Sequence, residues 1–326
     1  MTRHAWWPWA KTVLLLTFLG GVGVLIAHEA QTIAWAEVLN SLRAYPASVL
    51  ALAASLAALS LALYSCYDLL GRRYCGHTLS TRTVLSVAFI SYVFNLNLGA
   101  LVGGIAFRLR LYARLGLSLG QISRVVGLSM LTNWLGYLVL AGGLFMVHPP
   151  TLPSSWPLER RGMQLLGMGL LLAAAAYLLL CTWTRQRTLH LRGHHLKVPS
   201  ARMAWLQAAM GLVHWLLLGS LMKVLMPHGP DFPTVMAVLL LAAVAGVLAH
   251  VPAGIGVLEA VFLALLSHQV PGHELLAALL AYRLIYYLVP LLLAVLLYLF
   301  TEADMFRAKA ALASGKTEQP VAEPDC

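Results

Sequence analysis

The sequence predicts an all-α fold, a polytopic integral membrane helical bundle. The first two observations are compositional: 60% of the 326 residues are apolar and only 10% are charged, whereas a soluble domain has about 25% charged residues. The third is that apolar residues recur in runs of about 20, the length that a helix needs to cross a hydrocarbon core of about 30 Å. We therefore expect residues 1–303 to form a single membrane domain.

Six apolar runs are long enough to cross the membrane completely. They occupy residues 12–28, 46–70, 122–147, 162–182, 203–226 and 273–300. An uncleaved first span is favoured over a signal peptide, because the small residues of Ala34-Trp35-Ala36 lie well past the end of the first run. The polar segment 304–326 is expected to be a flexible cytoplasmic tail.

The formal net charge of +10 comes from Lys and Arg residues that lie in the short connections between apolar runs. Such placement is typical of the positive-inside rule and predicts cytoplasmic N- and C-termini. The basic residues form no face interleaved with aromatic residues, so no nucleic acid is expected as a partner.

Residues 83–105 do not fit a simple span. They separate two strongly basic connections, 71–82 and 106–124, and a full crossing would leave one of these outside. The polar and flexible positions of the run are Asn95, Asn97, Gly99, Gly103 and Gly104. Because broken backbone is tolerated inside a bundle, we expect a re-entrant helix pair that opens to the cytoplasm. The alternative is an ordinary span whose asparagines and glycines contact neighbouring helices.

Residues 234–268 contain two apolar halves that are each short for a span. The sequence between the halves breaks a helix at Pro252, Gly254 and Gly256. Both flanking connections lack Lys and Arg, which predicts a second re-entrant pair that opens to the outside. A hairpin of two thin spans is the alternative, and it leaves the orientation of the chain unchanged.

The predicted segments divide the chain into two halves, residues 12–147 and 162–300. Each half reads as span, span, re-entrant pair, span, and the odd number of crossings in the first half inverts the second. Transporters with inverted repeats have this plan, and their broken helices meet near the midplane to form the substrate site. The division rests on the pattern of segments and not on residue identity between the halves.

Ionisable side chains inside apolar segments are candidates for function, because burying them in lipid costs several kcal/mol. Glu259 follows the second break and Arg283 lies beside Tyr282 in the last span, so a pair across the two segments is expected. The alternatives are an anion site at a helix start, or a glutamate cap and an arginine that locks the bundle. Arg108 and Arg110 follow the first break and predict either a contact for lipid phosphates or an interfacial helix that fixes topology.

Other polar residues carry weaker signals. Asp68 and Asn133 can each satisfy a helix end or a hydrogen bond between helices. His190, His194 and His195 lie in a basic loop without a recognisable fourth ligand, so neither a metal site nor a cofactor is predicted. The sequence has no phosphate-binding glycine loop, nucleophile elbow or pair of catalytic carboxylates, and we therefore do not expect an enzyme.

Several motifs together resemble the lysylphosphatidylglycerol synthase transmembrane-region family. They are Tyr67-Asp68-Leu69-Leu70, Phe94-Asn95-Leu96-Asn97, Val102-Gly103-Gly104, Thr132-Asn133-Trp134-Leu135-Gly136-Tyr137 and Ala281-Tyr282-Arg283, with the runs 108–116 and 250–259. The motifs extend over nearly the whole chain. Within the family, the sequence is most similar to a group of inner-membrane proteins of Gram-negative bacteria.

In the family's best-understood members, this membrane region resembles a flippase that moves aminoacylated phosphatidylglycerol outward, while a separate cytoplasmic domain attaches the amino acid. We expect no such transferase domain here. The resemblance implies a translocator of anionic or modified phosphatidylglycerol-type lipids in the bacterial inner membrane, with membrane phospholipids as its partners and a polar groove between the re-entrant pairs. Two other interpretations are a secondary transporter of a small anion and a non-transporting scaffold or regulator of lipid-synthesis enzymes.

Overall fold

The structure, a computed structural model, describes residues 35–150, 159–183, 188–191, 194–249 and 251–314. Its α-helices are α1 (Trp35–Arg43), α2 (Ala47–Ser65), α3 (Tyr67–Cys75), α4 (Thr81–Leu98), α5 (Phe107–Arg114), α6 (Leu119–Val147), α7 (Arg160–Trp183), α8 (Ala201–Val224), α9 (Phe232–Ala249), α10 (Val257–Leu266), α11 (Gly272–Arg283) and α12 (Val289–Ser314). Two π-helical segments, Ala100–Ala106 and Leu284–Leu288, and a 3₁₀ turn, Pro252–Gly254, interrupt them. Strands β1 (Thr188–Leu191) and β2 (His194–Lys197) form one antiparallel hairpin.

The described residues contain six helical stretches that are long and apolar enough to cross a membrane. They are Ala47–Cys75, Leu119–Val147, Arg160–Trp183, Ala201–Val224, Phe232–Ala249 and Gly272–Thr301. The polytopic all-α bundle is therefore confirmed. The predicted first span, 12–28, lies outside the described residues. Helix α12 continues to Ser314, so the segment predicted as a tail begins within this helix, and its remainder from 315 is also outside the described residues.

The helix break predicted near Gly99 is present. Helix α4 ends there, and Gly99 has a φ of +84°, a conformation that favours glycine. The chain then turns back: the rings of Phe94 and Phe107 stack with their centroids 4.2 Å apart. A continuous helix between these residues would be about 20 Å long. Residues 81–114 therefore form a helical hairpin, and its re-entrant placement in the membrane, open to the cytoplasm, stays a prediction.

Glycine is required where the two arms of this hairpin meet. A Cβ atom on Gly103 would lie 2.0 Å from the carbonyl oxygen of Phe94. A Cβ atom on Gly104 would lie 2.9 Å from Oδ1 of Asn95. Both distances are too short for a real Cβ contact, so these two glycines allow the backbone of the π-helical arm to pack directly on α4.

The second predicted break is also present, between α9 and α10. Positive φ angles occur at Ala253 (57°), Gly254 (57°) and Gly256 (80°). Helix α9 has 18 residues and is long enough to cross a membrane, whereas the sequence predicted a short re-entrant arm. The re-entrant interpretation of 234–268 is therefore not confirmed, and the helix boundary lies earlier in the chain than the apolar run indicated.

Helices α9 and α10 pack on each other and form a second hairpin, which lies beside the first in the fold. The turn at Pro252–Gly254 and the π-helical segment Leu284–Leu288 both contact α4, and α12 packs along the same helix. The largest apolar cluster joins buried residues of α2, α4, α6, α8, α9, α10 and α11. Helices α6 and α8 cross most closely at Gly136, where an added Cβ atom would lie 2.0 Å from the carbonyl carbon of Gly211. Small residues of this kind let membrane helices approach backbone to backbone.

Candidate functional site

Glu259 and Arg283 form the ion pair that the sequence predicted between the second break and the last span. Nε of Arg283 donates to Oε1 of Glu259 at 2.5 Å, and Nη2 donates to Oε2 at 3.0 Å. The side chains of Arg283 and Glu259 are 14% and 20% exposed. The pair therefore combines a bidentate, charge-assisted geometry with partial access from the surface.

The same two side chains hold the loop that breaks the helix. Arg283 donates from Nη1 to the carbonyl oxygen of Ala253 at 3.1 Å and from Nη2 to that of Gly254 at 3.0 Å. Oε2 of Glu259 accepts from the backbone N–H of Gly256 at 3.0 Å, and so caps the start of α10. The positive φ of Ala253 is uncommon for a residue with a Cβ atom, and the arginine contact stabilises it. The capping and locking roles considered from the sequence are thus both present in the geometry.

Arg108 is buried in a second ion pair, away from any surface that a lipid could reach. Its Nε and Nη2 atoms donate to the two carboxylate oxygens of Asp68, each at 3.1 Å. Nη2 also donates to Oγ of Ser129 at 3.3 Å, and the hydroxyl of Tyr112 donates to Asp68 at 2.9 Å. The side chains of Arg108 and Asp68 are 2% and 0% exposed. This geometry argues against the predicted contact of Arg108 with lipid phosphates, because the guanidinium is already neutralised and covered.

Arg110 lies on the other side of α5 and is exposed. Its guanidinium carbon lies 5.6 Å from the centroid of the Tyr298 ring in α12, a cation–π contact. Two residues along the same short helix therefore have different environments, since one points into the bundle and the other points out of it. Of the two arginines predicted to contact lipid phosphates, the structure leaves Arg110 at the surface.

The amides and the tyrosine of the predicted site have packing roles. Nδ2 of Asn97 donates to the carbonyl oxygens of Val93 at 2.9 Å and Tyr287 at 3.4 Å, which joins α4 to the π-helical segment of the last span. Asn95 packs against Gly104 within the first hairpin. Tyr282 is buried and stacks on the Tyr286 ring, with centroids 5.6 Å apart. The structure thus places Asn97, Glu259 and Arg283 where the two hairpins meet, whereas Tyr282 is buried in the core.

The family model described as the lysylphosphatidylglycerol synthase TM region matches residues 9–294, a range that contains both hairpins and both ion pairs. The chain belongs to this family.

Two known proteins are similar over most of the chain, and a third is similar over a short stretch. The inner membrane protein YbhN of Escherichia coli K12 is 43% identical over 309 residues, which cover 94% of this chain and 97% of YbhN. An uncharacterized protein of Synechocystis is 33% identical over 271 residues, which cover 82% of this chain and 83% of that protein. The phosphatidylglycerol lysyltransferase of Staphylococcus haemolyticus is 40% identical over 70 residues, or 21% of this chain and 8% of that protein. Together with the six apolar helices, the similarity to YbhN identifies a multi-pass inner-membrane protein.

One feature of this family member was missed by sequence reasoning: a closed ring of four buried polar side chains. Oγ of Ser60 lies 3.0 Å from Nδ1 of His214, and Nε2 of His214 lies 3.3 Å from the hydroxyl of Tyr92. The hydroxyl of Tyr286 closes the ring at 3.0 Å from Tyr92 and 3.3 Å from Ser60. The ring connects α2, α4, α8 and the π-helical segment after α11. An ionisable residue in the middle of a span, His214, was the signal that could have revealed it.

His190, His194 and His195 lie outside the side chains that the structure describes. Among the described residues, no group of three or more His, Cys, Asp or Glu side chains is arranged to hold a metal ion.

Proposed function

We propose that this protein moves phospholipids with anionic or aminoacylated phosphatidylglycerol-type headgroups across the inner membrane, and that it does so without catalysing a reaction. The observation that carries the proposal is the partly exposed Arg283–Glu259 pair at the junction of two interrupted helical hairpins. Ionisable residues at membrane depth that retain access to the surface are typical of substrate pathways. Membership of a family named for the membrane region of lysylphosphatidylglycerol synthase supports a lipid of this class.

The pair offers one charge of each sign, and this suits the chemistry of the headgroup. Arg283 can bind a phosphate oxygen, while Glu259 can bind the ammonium group of an aminoacylated headgroup. During passage, the contact between the two side chains is exchanged for contacts with the substrate, so no charge is left unpaired in a medium of low dielectric constant. A headgroup with both a phosphate and an amine fits this exchange best.

The surroundings of the pair suit an amphipathic substrate. Polar backbone is concentrated at the loop of residues 251–256, where irregular backbone at membrane depth requires protein or water to satisfy it. Exposed apolar side chains flank this loop and the end of the first hairpin. They are Leu98, Val247, Ile255, Leu284 and Leu288. A headgroup at the ion pair would therefore have its acyl chains beside an apolar rim.

The experiment is transbilayer movement of labelled phosphatidylglycerol in liposomes that contain the purified full-length protein. We expect accelerated movement for the wild type and its loss in Arg283→Gln, which removes the phosphate contact. Arg160→Gln is the matched control, because it removes an exposed arginine at the start of α7, remote in sequence from both breaks. Gel filtration and thermal melting in detergent establish that each variant is folded, and Glu259→Gln provides a second test if Arg283→Gln does not fold.

The competing interpretations give different results in the same liposomes. Uptake of a soluble anion without lipid movement would support the small-anion transporter instead. Inert liposomes, together with a lipid-synthesis enzyme that co-purifies from membranes, would support the scaffold. Equal lipid movement by the wild type and Arg283→Gln would overturn the assignment of the ion pair as the substrate site.

A further inference from the structure

A groove lies between α3 and the start of α8. Its outer part is a cavity of about 380 Å³ that is lined by Arg73, Arg202 and apolar side chains that include Leu70 and Leu206. The inner part is a cavity of about 190 Å³, and Leu70 and Arg73 line both. The two cavities are therefore adjacent along the helices.

The arginines at the mouth of this groove differ from Arg108 and Arg283, which pair with carboxylates. Arg72, next to Arg73 in the chain, donates to the carbonyl oxygen of Leu79 and to the hydroxyl of Thr81. Arg73 and Arg202 are exposed, and in the part of the chain that the structure describes neither forms an ion pair with an acidic side chain. Two cationic groups thus face one cavity.

Both cavities combine arginine and apolar side chains, and Arg72 lines the inner cavity together with Arg73. Arg202 lies at the outer end of α8 and Met210 lines the inner cavity, which places the two about 12 Å apart along the helix axis. Leu69 and Cys66 line the inner cavity beside Met210. Exposed arginines at the mouth, beside apolar side chains that continue inward along α8, match a phospholipid, whose phosphate is followed by its acyl chains.

We propose that this groove binds an anionic phospholipid of the adjacent leaflet, with its phosphodiester between Arg73 and Arg202 and an acyl chain along Leu69 and Met210. The choice of ligand rests on the proposed function, whereas the site itself shares no residue with the junction at Arg283. The positive-inside rule assigns this leaflet to the cytoplasmic side. A lipid bound here would lie in the cytoplasmic leaflet, from which the translocator would take up its substrate.

The test is equilibrium binding of short-chain phosphatidylglycerol to the full-length protein in detergent, measured by native mass spectrometry and calorimetry. The double variant Arg73→Gln/Arg202→Gln is compared with Arg160→Gln/Arg161→Gln, which removes two exposed arginines from the start of α7. Each arginine near an anionic lipid surface raises the affinity by about fivefold. We therefore expect about 30-fold weaker binding in the groove variant and an unchanged affinity in the control.

Three comparisons decide the result. Equal affinity of both double variants for phosphatidylglycerol would overturn the site. Glycerol phosphate that binds as tightly as phosphatidylglycerol would overturn the lipid assignment and indicate a free phosphate ester instead. Specific binding that the groove variant loses, in a protein that moves no lipid in liposomes, would support this site while counting against the proposed translocation.

Discussion

Arg108 and Asp68 face each other 40 positions apart in the sequence, joined by two parallel hydrogen bonds of 3.1 Å, with 2% and 0% of their side chains exposed. A charge pair this well covered is stable only while both partners are present. Tyr112 and Ser129 provide two further hydrogen bonds, so the pair fastens α3, α5 and α6 together at the foot of the first hairpin.

Removing one member of that pair should destabilise the protein strongly. We expect Asp68→Asn to lower the free energy of unfolding by about 3–5 kcal/mol, because Arg108 is then a buried charge without a counterion. Thermal melting of the purified protein in detergent measures the effect. The control is Arg110→Gln, which changes an exposed arginine two residues along the same helix and should cost about 1 kcal/mol or less. Equal losses in both variants would contradict a buried pair.

Gly103→Ala should prevent the first hairpin from closing. The new Cβ atom would lie 2.0 Å from the carbonyl oxygen of Phe94, which is backbone and cannot move aside without opening the hairpin. We expect the free energy of unfolding to fall by about 1–3 kcal/mol, or no folded protein to be recovered. Gly127→Ala is the control, because no atom lies within 4 Å of a Cβ atom at that position of α6. A melting temperature equal to that of the wild type for Gly103→Ala would refute the close packing.

Tyr92 and Tyr286 should be energetically coupled through the buried ring around His214. Their hydroxyls are 3.0 Å apart, so replacing either with Phe leaves the other without one partner. We expect the change in the free energy of unfolding of Tyr92→Phe/Tyr286→Phe to differ from the sum of the changes in the two single variants by about 0.5–3 kcal/mol. Chemical unfolding in detergent measures all four proteins. Tyr92→Phe paired with Tyr45→Phe serves as the control, and additivity in both cycles would disprove the ring.

Glu259→Gln should change which lipids are moved. If Glu259 contacts the amine of an aminoacylated headgroup, its loss should slow the transbilayer movement of lysylphosphatidylglycerol more than that of phosphatidylglycerol. The expected difference is a factor of about 10, for one charge-assisted hydrogen bond. The measurement is the ratio of the two rates in the same liposome preparation. Glu274→Gln, an exposed carboxylate at the start of α11, should leave the ratio unchanged. A ratio that Glu259→Gln also leaves unchanged would remove the amine contact from the mechanism.

Helix breaks were predictable because glycine and proline act locally. Gly99 and the 252–256 segment interrupt helices in the structure where their sequence indicated. The length of α9 was not predictable from the apolar run alone. Its first turn includes Phe232 and Pro233, which flank the run, and proline is compatible with the first turn of a helix. This small extension makes a segment expected to be a short arm long enough to cross the membrane.

The candidate site was predicted in part. Glu259 and Arg283 were paired from the sequence because both are charged and lie in apolar segments, where isolated charges are unstable. The same reasoning did not pair Arg108 with Asp68, since Asp68 also fits the role of a residue at a helix end. The groove at Arg73 and Arg202 had no sequence signal beyond two basic loops, because a cavity arises from how two helices pack.

The sequence by itself determined the class of the protein, the position of five of its spans, the two helix breaks and the family. Each of these depends on the length of an apolar run, on a local backbone preference or on a motif, and none requires knowledge of which helices touch. Only the tertiary structure decided which charges neutralise each other and which remain accessible. The pairing of charges depends on how the helices pack. Arg108 and Arg110 are only two positions apart in one short helix, but their side chains point in different directions. Arg108 therefore meets a buried carboxylate, whereas Arg110 lies at the surface.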